Sequence, residues 1–177
     1  MKEIDNILTR NSPLQLCEPY PSDEQMDIIY KAALRAPDHA WLRPSRFLQV
    51  TGDGLDKLSK IFYQYAKENM GDISEDKLIK YKKAPFRAPM IIILITNVTN
   101  HPSVPEHEQM FSTAAAAQNI LLALHAFKFG GIWRTGKFAM NKDIEKSLGL
   151  ASNQKILGFL YVGTPVSYTH LRAHETR

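Results

Sequence analysis

The sequence predicts an α+β fold. Three observations carry that expectation. Helical periodicities outnumber extended runs. Only about three or four strands can be read. The two kinds of element do not alternate in the βαβ order that a doubly wound sheet requires. At 177 residues and 44% hydrophobic, the chain suits one compact domain with a real core.

Each element has a local reason. Ile4, Ile7 and Leu8 share one face of a short first helix. "SDEQ", Ser22 to Gln25, is a capping box that opens a second helix, with Met26, Ile29, Tyr30, Ala33 and Leu34 as its apolar stripe. Pro37 stops it. "RFLQV", Arg46 to Val50, reads as a short strand, and Gly52 to Gly54 as a turn. Leu55, Leu58, Ile61, Phe62 and Tyr65 mark the next helix, followed by a polar, lysine-rich one around Ser74 to Ala84. Pro85 and Pro89 delimit an extended approach to Met90–Thr96, an apolar run that expects cover on both faces. After a loop marked by Pro102 and Pro105, a long helix runs from Glu106 to Phe129 and ends at Gly130-Gly131. "IWRT" is an edge strand or extended loop. "NKDIEKSLGL" is a short helix capped by Asn141 and closed by Gly149. "KILGFLYVG" is the last strand. No repeat or linker interrupts the order.

Composition excludes several classes. The net charge of +4 is mild, and part of it lies in the last eleven residues. No basic stripe interleaved with aromatics is present, so nucleic acid is not an expected partner. The polar N-terminus has no signal-peptide layout, which predicts a cytoplasmic chain. Gln118, Asn119, His125 and Lys128 interrupt the longest apolar region, so no membrane span is expected. Cys17 is the one cysteine; it supports no intrachain disulfide and reads as a packed or surface thiol. His101, Glu106, His107 and Glu108 match no metal-binding spacing, and none is expected to hold a metal. His125, among apolar residues, reads as a satisfied core or interface histidine. The lysines from Lys77 to Lys83 read as a solvated face.

"GGIWRTGKF", Gly130 to Phe138, has the glycine spacing of an ATP-binding phosphate loop. Its surroundings argue against one. A helix rather than a strand precedes it, Phe138 stands where a magnesium-binding hydroxyl belongs, and no helix follows directly. Two other stretches concentrate groups suited to a planar anion. "LRAPDHAWLRPSRF" presents Arg35, Asp38, His39, Trp41, Arg43 and Arg46 around a helix end and loop. Arg35 is also explained as a helix C-terminal cation, and His39 as a capping or surface residue. "TRNS", Thr9 to Ser12, reads as a helix end with a turn or as a phosphate-binding Arg10 with Asn11 and Ser12 as donors.

Five stretches in order, "TRNS", "RAPDHAWLRPSRF", "APFRAPMIIILIT", "FKFGGIWRTG" and "GFLYVGTP", resemble the nitroreductase family of FMN-dependent oxidoreductases, in its short-chain form. The resemblance runs from about Ile4 to Pro165. It implies a central, mostly antiparallel sheet flanked by helices, in a homodimer with flavin at the interface. By position it implies FMN contacts from Arg10, Asn11, Ser12, Arg35, His39, Trp133, Arg134 and Thr135. It assigns Ala123, Leu124, His125, Ala126, Phe127 and Lys128 to NADH or NADPH. It further implies a ping-pong reaction in which hydride passes from NAD(P)H through FMN to nitro, quinone or enone acceptors, with no side-chain nucleophile. The alternative is a non-catalytic FMN-binding or flavin-carrying protein. Asn11 departs from the family's Arg-Arg-Ser triplet, and Arg43 and Ser45 flank Pro44 where relatives carry Gln and Trp. Residues 1–166 are expected to form a single domain. Residues 167–177 resemble translated adaptor sequence and are assigned no role.

Overall fold

The computed structural model describes residues 2–166; the expectation for residues 167–177 lies outside the described residues. Six helices and five strands are found among them: α1 (Lys2–Thr9), β1 (Leu16–Cys17), α2 (Asp23–Ala33), β2 (Ser45–Thr51), α3 (Asp53–Asn69), α4 (Glu75–Lys82), β3 (Met90–Asn97), α5 (Glu106–Ala126), β4 (Gly130–Arg134), α6 (Lys142–Ser147) and β5 (Gln154–Pro165). Every strand pair is antiparallel, and the order β1-β5-β3-β2 carries β4 as a further partner of β5. The α+β expectation is met.

β3 organises the sheet. It pairs with β2 from Thr96 to Met90 and with β5 from Asn97 to Met90. Its residues from Met90 to Leu94 are fully buried. Ile91, Ile93 and Ile95 face a layer with Leu58, Phe62, Ile144 and Phe159. Met90, Ile92 and Leu94 face the opposite layer with Ile29, Ile120 and Leu124. A strand covered on both sides has no polar alternation to show, which is why its sequence reads as one apolar run. Phe62 anchors the first layer, stacked on Phe138 at 3.9 Å between centroids and set edge-on to Phe159 at 5.3 Å.

The register of β3 and β5 slips by one between Leu94 and Ile95, opposite Gly158 and Ile156. Leu157 is the extra residue, a β-bulge.

Local chemistry sets several boundaries. The Ser22 capping box is formed: the Ser22 hydroxyl accepts from Gln25 N, and the Gln25 side chain accepts from Ser22 N at 2.9 Å. α2 ends at Ala33, so Arg35 lies just past the helix rather than in its last turn. Gly52 (φ +48) closes β2, but Gly54 belongs to the first turn of α3. Pro85 sits in a 3-10 turn, Ala84–Arg87, and not in an extended approach; Ala88 after it is extended.

The end of α5 also departs from the expectation. The helix stops at Ala126, not Phe129, and the glycines do not close it. Lys128, at φ 69, does so: Lys128 N donates to His125 O and Phe129 N to Leu124 O, each at 2.9 Å. Gly130 and Gly131 are strand residues whose reason is closeness. A Cβ at Gly130 would stand 2.6 Å from Pro13 Cγ, and one at Gly131 2.7 Å from Leu121 Cδ2. Gly149 does close α6 as expected, at φ 73.

Tyr30 lies between layers and solvent. Its ring stacks on Phe47 at 5.6 Å, and its hydroxyl donates to Gln49 at 3.0 Å. Burial pushes its phenol up from 10.0 to about 12. A raised folded value means the linked stability is fully present below pH 10 and is lost as pH rises toward 12. Tyr30→Phe is therefore expected to flatten that alkaline loss in urea titrations run below and within the window. Gly163 gives a second test. A Cβ there would meet Cys17 O at 2.7 Å and Pro89 Cδ at 2.8 Å. One contact is backbone, so Gly163→Ala is expected to lower the unfolding free energy by about 1–3 kcal/mol.

Candidate functional site

The residues singled out by sequence fall into three groups on the protomer. The first lies where α1 and α5 end together. Thr9 Oγ1 and His125 Nε2 share a hydrogen bond of 2.9 Å, and Asn6 Nδ2 donates to Leu122 O at 3.0 Å. These bonds tie α1 to α5 and place Arg10 and Asn11 beside His125, Lys128, Gly130 and Gly131, around a small cleft of about 170 Å³. Arg10 Nη1 donates to Asn11 O at 2.8 Å and to Ser12 Oγ at 3.3 Å, so the "RNS" turn is held by its own arginine. Of the segment assigned to the nicotinamide cofactor, His125, Ala126 and Lys128 also border a broader groove against α1. Leu124 is fully buried in the core, and Ala123 and Phe127 pack against that same layer. Those three side chains face away from any ligand in the groove.

The second group is built on the loop after α2. Ser112 Oγ donates to Pro37 O at 2.6 Å, and His39 Nδ1 lies 2.7 Å from Glu108 Oε2 on α5. Both bonds pin the loop to α5. The Asp38 carboxylate accepts from Arg43 N at 2.7 Å, and Ala40, Trp41 and Arg43 all hold left-handed φ, at 55, 55 and 48. Left-handed backbone in three non-glycine residues stores strain that an over-determined loop must hold. Trp41 is 78% exposed, with the Arg43 guanidinium 5.9 Å from its ring. Arg35 is exposed nearby in the chain. Glu108 is in the first turn of α5, where the helix was expected to begin, and its neighbour Glu106 pairs with Lys155.

The third group is the end of β4. Trp133, Arg134 and Thr135 border a cleft of about 430 Å³. Successive strand residues point to opposite faces. The Trp133 indole packs in the α5 layer, while the Arg134 guanidinium lies 5.7 Å from the Tyr161 ring. Trp133 Nε1 and Arg134 Nε are both buried, with no hydrogen-bond partner among the described residues. A buried donor left unpaired costs about 1–3 kcal/mol. The two point to opposite faces of the sheet; Arg134 Nε, on the Tyr161 side, fits a ligand that supplies an acceptor there. Gly158 makes room for the indole: a Cβ there would collide with Trp133 Nε1.

Within one protomer these groups do not share a cleft. Sequence reading also missed Lys80, Arg87 and Lys137, which join Arg134 in the third cleft. Arg87 lay in plain view in "APFRAP", but nothing in its spacing tied it to Arg134, 47 positions on. By sequence Lys80 belongs to a solvated face.

An antiparallel sheet covered by helices, with cationic clefts at both ends of a glycine-thinned strand, defines a scaffold for a planar anionic ligand. Comparison with known proteins agrees. Residues 11–164 match the model of the nitroreductase family. The chain is 37% identical to the Escherichia coli (strain K12) protein named "Putative NAD(P)H nitroreductase YdjA", over 93% of this chain and 89% of that protein. It belongs to the nitroreductase family. Among solved structures, the nitroreductase-like family protein from Bacillus cereus superposes with a TM-score of 0.80 at 20% identity, covering 94% of this chain and 87% of that one. The NADPH:FMN oxidoreductase from Vibrio harveyi, complexed with NAD+, gives 0.72 at 20%, covering 100% and 78%. At these identities the structural likeness establishes the fold.

If Gly158 exists to seat the indole, Gly158→Ala in a Trp41→Phe background is expected to red-shift the remaining Trp133 emission as the ring is expelled. Unchanged emission would remove that reason for the glycine.

Proposed function

We propose that the protein is an FMN-dependent NAD(P)H oxidoreductase of the cytoplasm, working as a homodimer on small-molecule acceptors of nitro, quinone or enone type. The observation that carries this reading is the buried, unspent donor Arg134 Nε, at the end of β4 in a cationic cleft. The name of the Escherichia coli relative supports the electron donor, and family membership supports the class of reaction. Residues 1–166 act as one domain.

Arg10, Asn11, Ser12, Trp133, Arg134 and Thr135 would hold the flavin from one subunit. Arg35 and His39 would reach it from the other, with His39 positioned by Glu108. The loop group lies apart from β4, whose two ends carry the other groups, and a second copy is the simplest way to bring it to them. An apolar stripe on α1 fits the same reading: Ile4, Ile7 and Leu8 are exposed on a helix with no buried residue. When bound, FMN supplies the hydride chemistry, alternating between NAD(P)H and the acceptor in a ping-pong cycle. The chain's own part is electrostatic and positional. The Arg10 and Arg134 guanidinium groups neutralise ligand charge and hydrogen-bond to it in a plane. The Trp133 indole offers one directed donor. His125, Ala126 and Lys128 border the groove through which the nicotinamide cofactor approaches.

The deciding measurement is the visible spectrum of dialysed protein with FMN added back, before and after NAD(P)H under nitrogen. Bound flavin that bleaches is expected. Bound flavin that stays oxidised would instead identify a carrier, and a colourless protein would end both readings. Arg10→Ala is expected to weaken FMN binding roughly tenfold to a hundredfold, the value of one charge-assisted hydrogen bond.

A further inference from the structure

The cleft at the end of β4 carries more charge than the flavin contacts proposed for Trp133–Thr135 call for. Four cations border its volume of about 430 Å³: Lys80 from α4, Arg87 from the 3-10 turn before β3, Arg134 from β4, and Lys137 just beyond it. No Asp or Glu lies among the bordering residues. Among the described residues none of the four is ion-paired, whereas the ion pairs that do form lie elsewhere, at Asp27–Lys31, His39–Glu108 and Glu106–Lys155. Arg134 Nε adds a buried donor without a partner. Tyr161 reports on the local field. Burial pushes its phenol up, and the charges of Arg87 and Arg134 both oppose that push, so both guanidinium groups bear on the same hydroxyl. Four like charges around one concavity repel one another and focus a positive potential into it.

We propose that this cleft is a phosphate-monoester site, in which Lys80, Arg87 and Lys137 hold a dianionic phosphate beside Arg134. A monoester matches the observations better than a carboxylate does. It carries nearly two negative charges and three acceptor oxygens, enough to engage several cations at once. Guanidinium groups present planar, paired donors to such oxygens. Nucleic acid is a poor match, since the cations converge in one cleft and do not form a stripe. Two molecules of the proposed reaction end in a phosphate monoester: FMN, at its 5′-phosphate, and NADPH, at its 2′-phosphate. The site itself stands on geometry; only the choice between these two carriers rests on the flavin-enzyme reading.

The test uses the full chain as purified with FMN. Calorimetric titration with 2′,5′-ADP and with inorganic phosphate probes the cleft directly. Lys137→Ala changes an exposed residue after β4, and Arg87→Ala changes one from the turn before β3. Circular dichroism checks that each variant folds. If NADPH is the carrier, 2′,5′-ADP binds the wild type, and each variant weakens it roughly tenfold or more. The KM for NADPH then rises while that for NADH stays, and Arg87→Lys recovers part of the loss. If FMN is the carrier, the variants instead erase the preference for FMN over riboflavin and leave the NADPH-to-NADH ratio unchanged. Either result supports the site. Variants that fold but alter neither ratio, and that titrate like wild type, overturn it. A protein that binds 2′,5′-ADP through Arg87 yet never bleaches its flavin would keep the site and lose the enzyme reading. One that bleaches normally with indifferent variants would do the reverse.

Discussion

A single strand, β3, sets the conditions for everything around it. Met90 to Leu94 are fully buried and hydrogen-bonded on both edges, so no face of the strand meets water. Burying apolar surface at about 25 cal/mol per Å² rewards cover on both sides. The chain supplies it with α3, α6 and the turn before β3 on one face, and α2 and α5 on the other. The two layers are chemically different. One buries aromatic rings at its centre, around Phe62, Phe138 and Phe159; the other has an aliphatic centre, with the small residues Ala116 and Ala117 of α5, and carries its aromatic rings at the margin. Small residues bring α5 close, and that closeness decides where its end delivers His125 and Lys128.

Closeness recurs along β4. Gly130 and Gly131 let the strand lie against Pro13, Leu16 and Leu121, and Gly158 across the ladder leaves space for the Trp133 indole. Side chains at these positions would lift β4 away from α5 and from the turn after α1. The strand therefore works as a thin spacer with a charged cluster at each end. Arg10 and Lys128 gather at its start, Arg87, Arg134 and Lys137 at its finish.

The loop from Asp38 to Pro44 plays a different part. Its left-handed residues cost energy that the Asp38–Arg43 and His39–Glu108 contacts must offset. The return is an aromatic ring, Trp41, held out in solvent beside a guanidinium. On an isolated protomer that ring covers nothing.

The sequence by itself determined the elements whose signals are local. The capping box at Ser22, the unbroken apolar run of β3, the Gly149 helix stop and the long α5 could all be read because each depends on neighbours within a few residues. Five motifs in order were enough to point to the family. What only the tertiary structure decided depends on residues far apart in the chain. The pair Gly130-Gly131 looked like a helix stop, and a helix stop did occur there, but Lys128 made it; the glycines answer instead to Pro13 and Leu121. The two-residue β1 carries no periodicity of its own and forms only because Thr164 and Pro165 of β5 lie opposite. Arg87 and Arg134 meet over Tyr161 because β3, β5 and β4 lie side by side, a fact of pairing that no short window contains. Local propensity is written in adjacent residues; charge convergence is written in the fold.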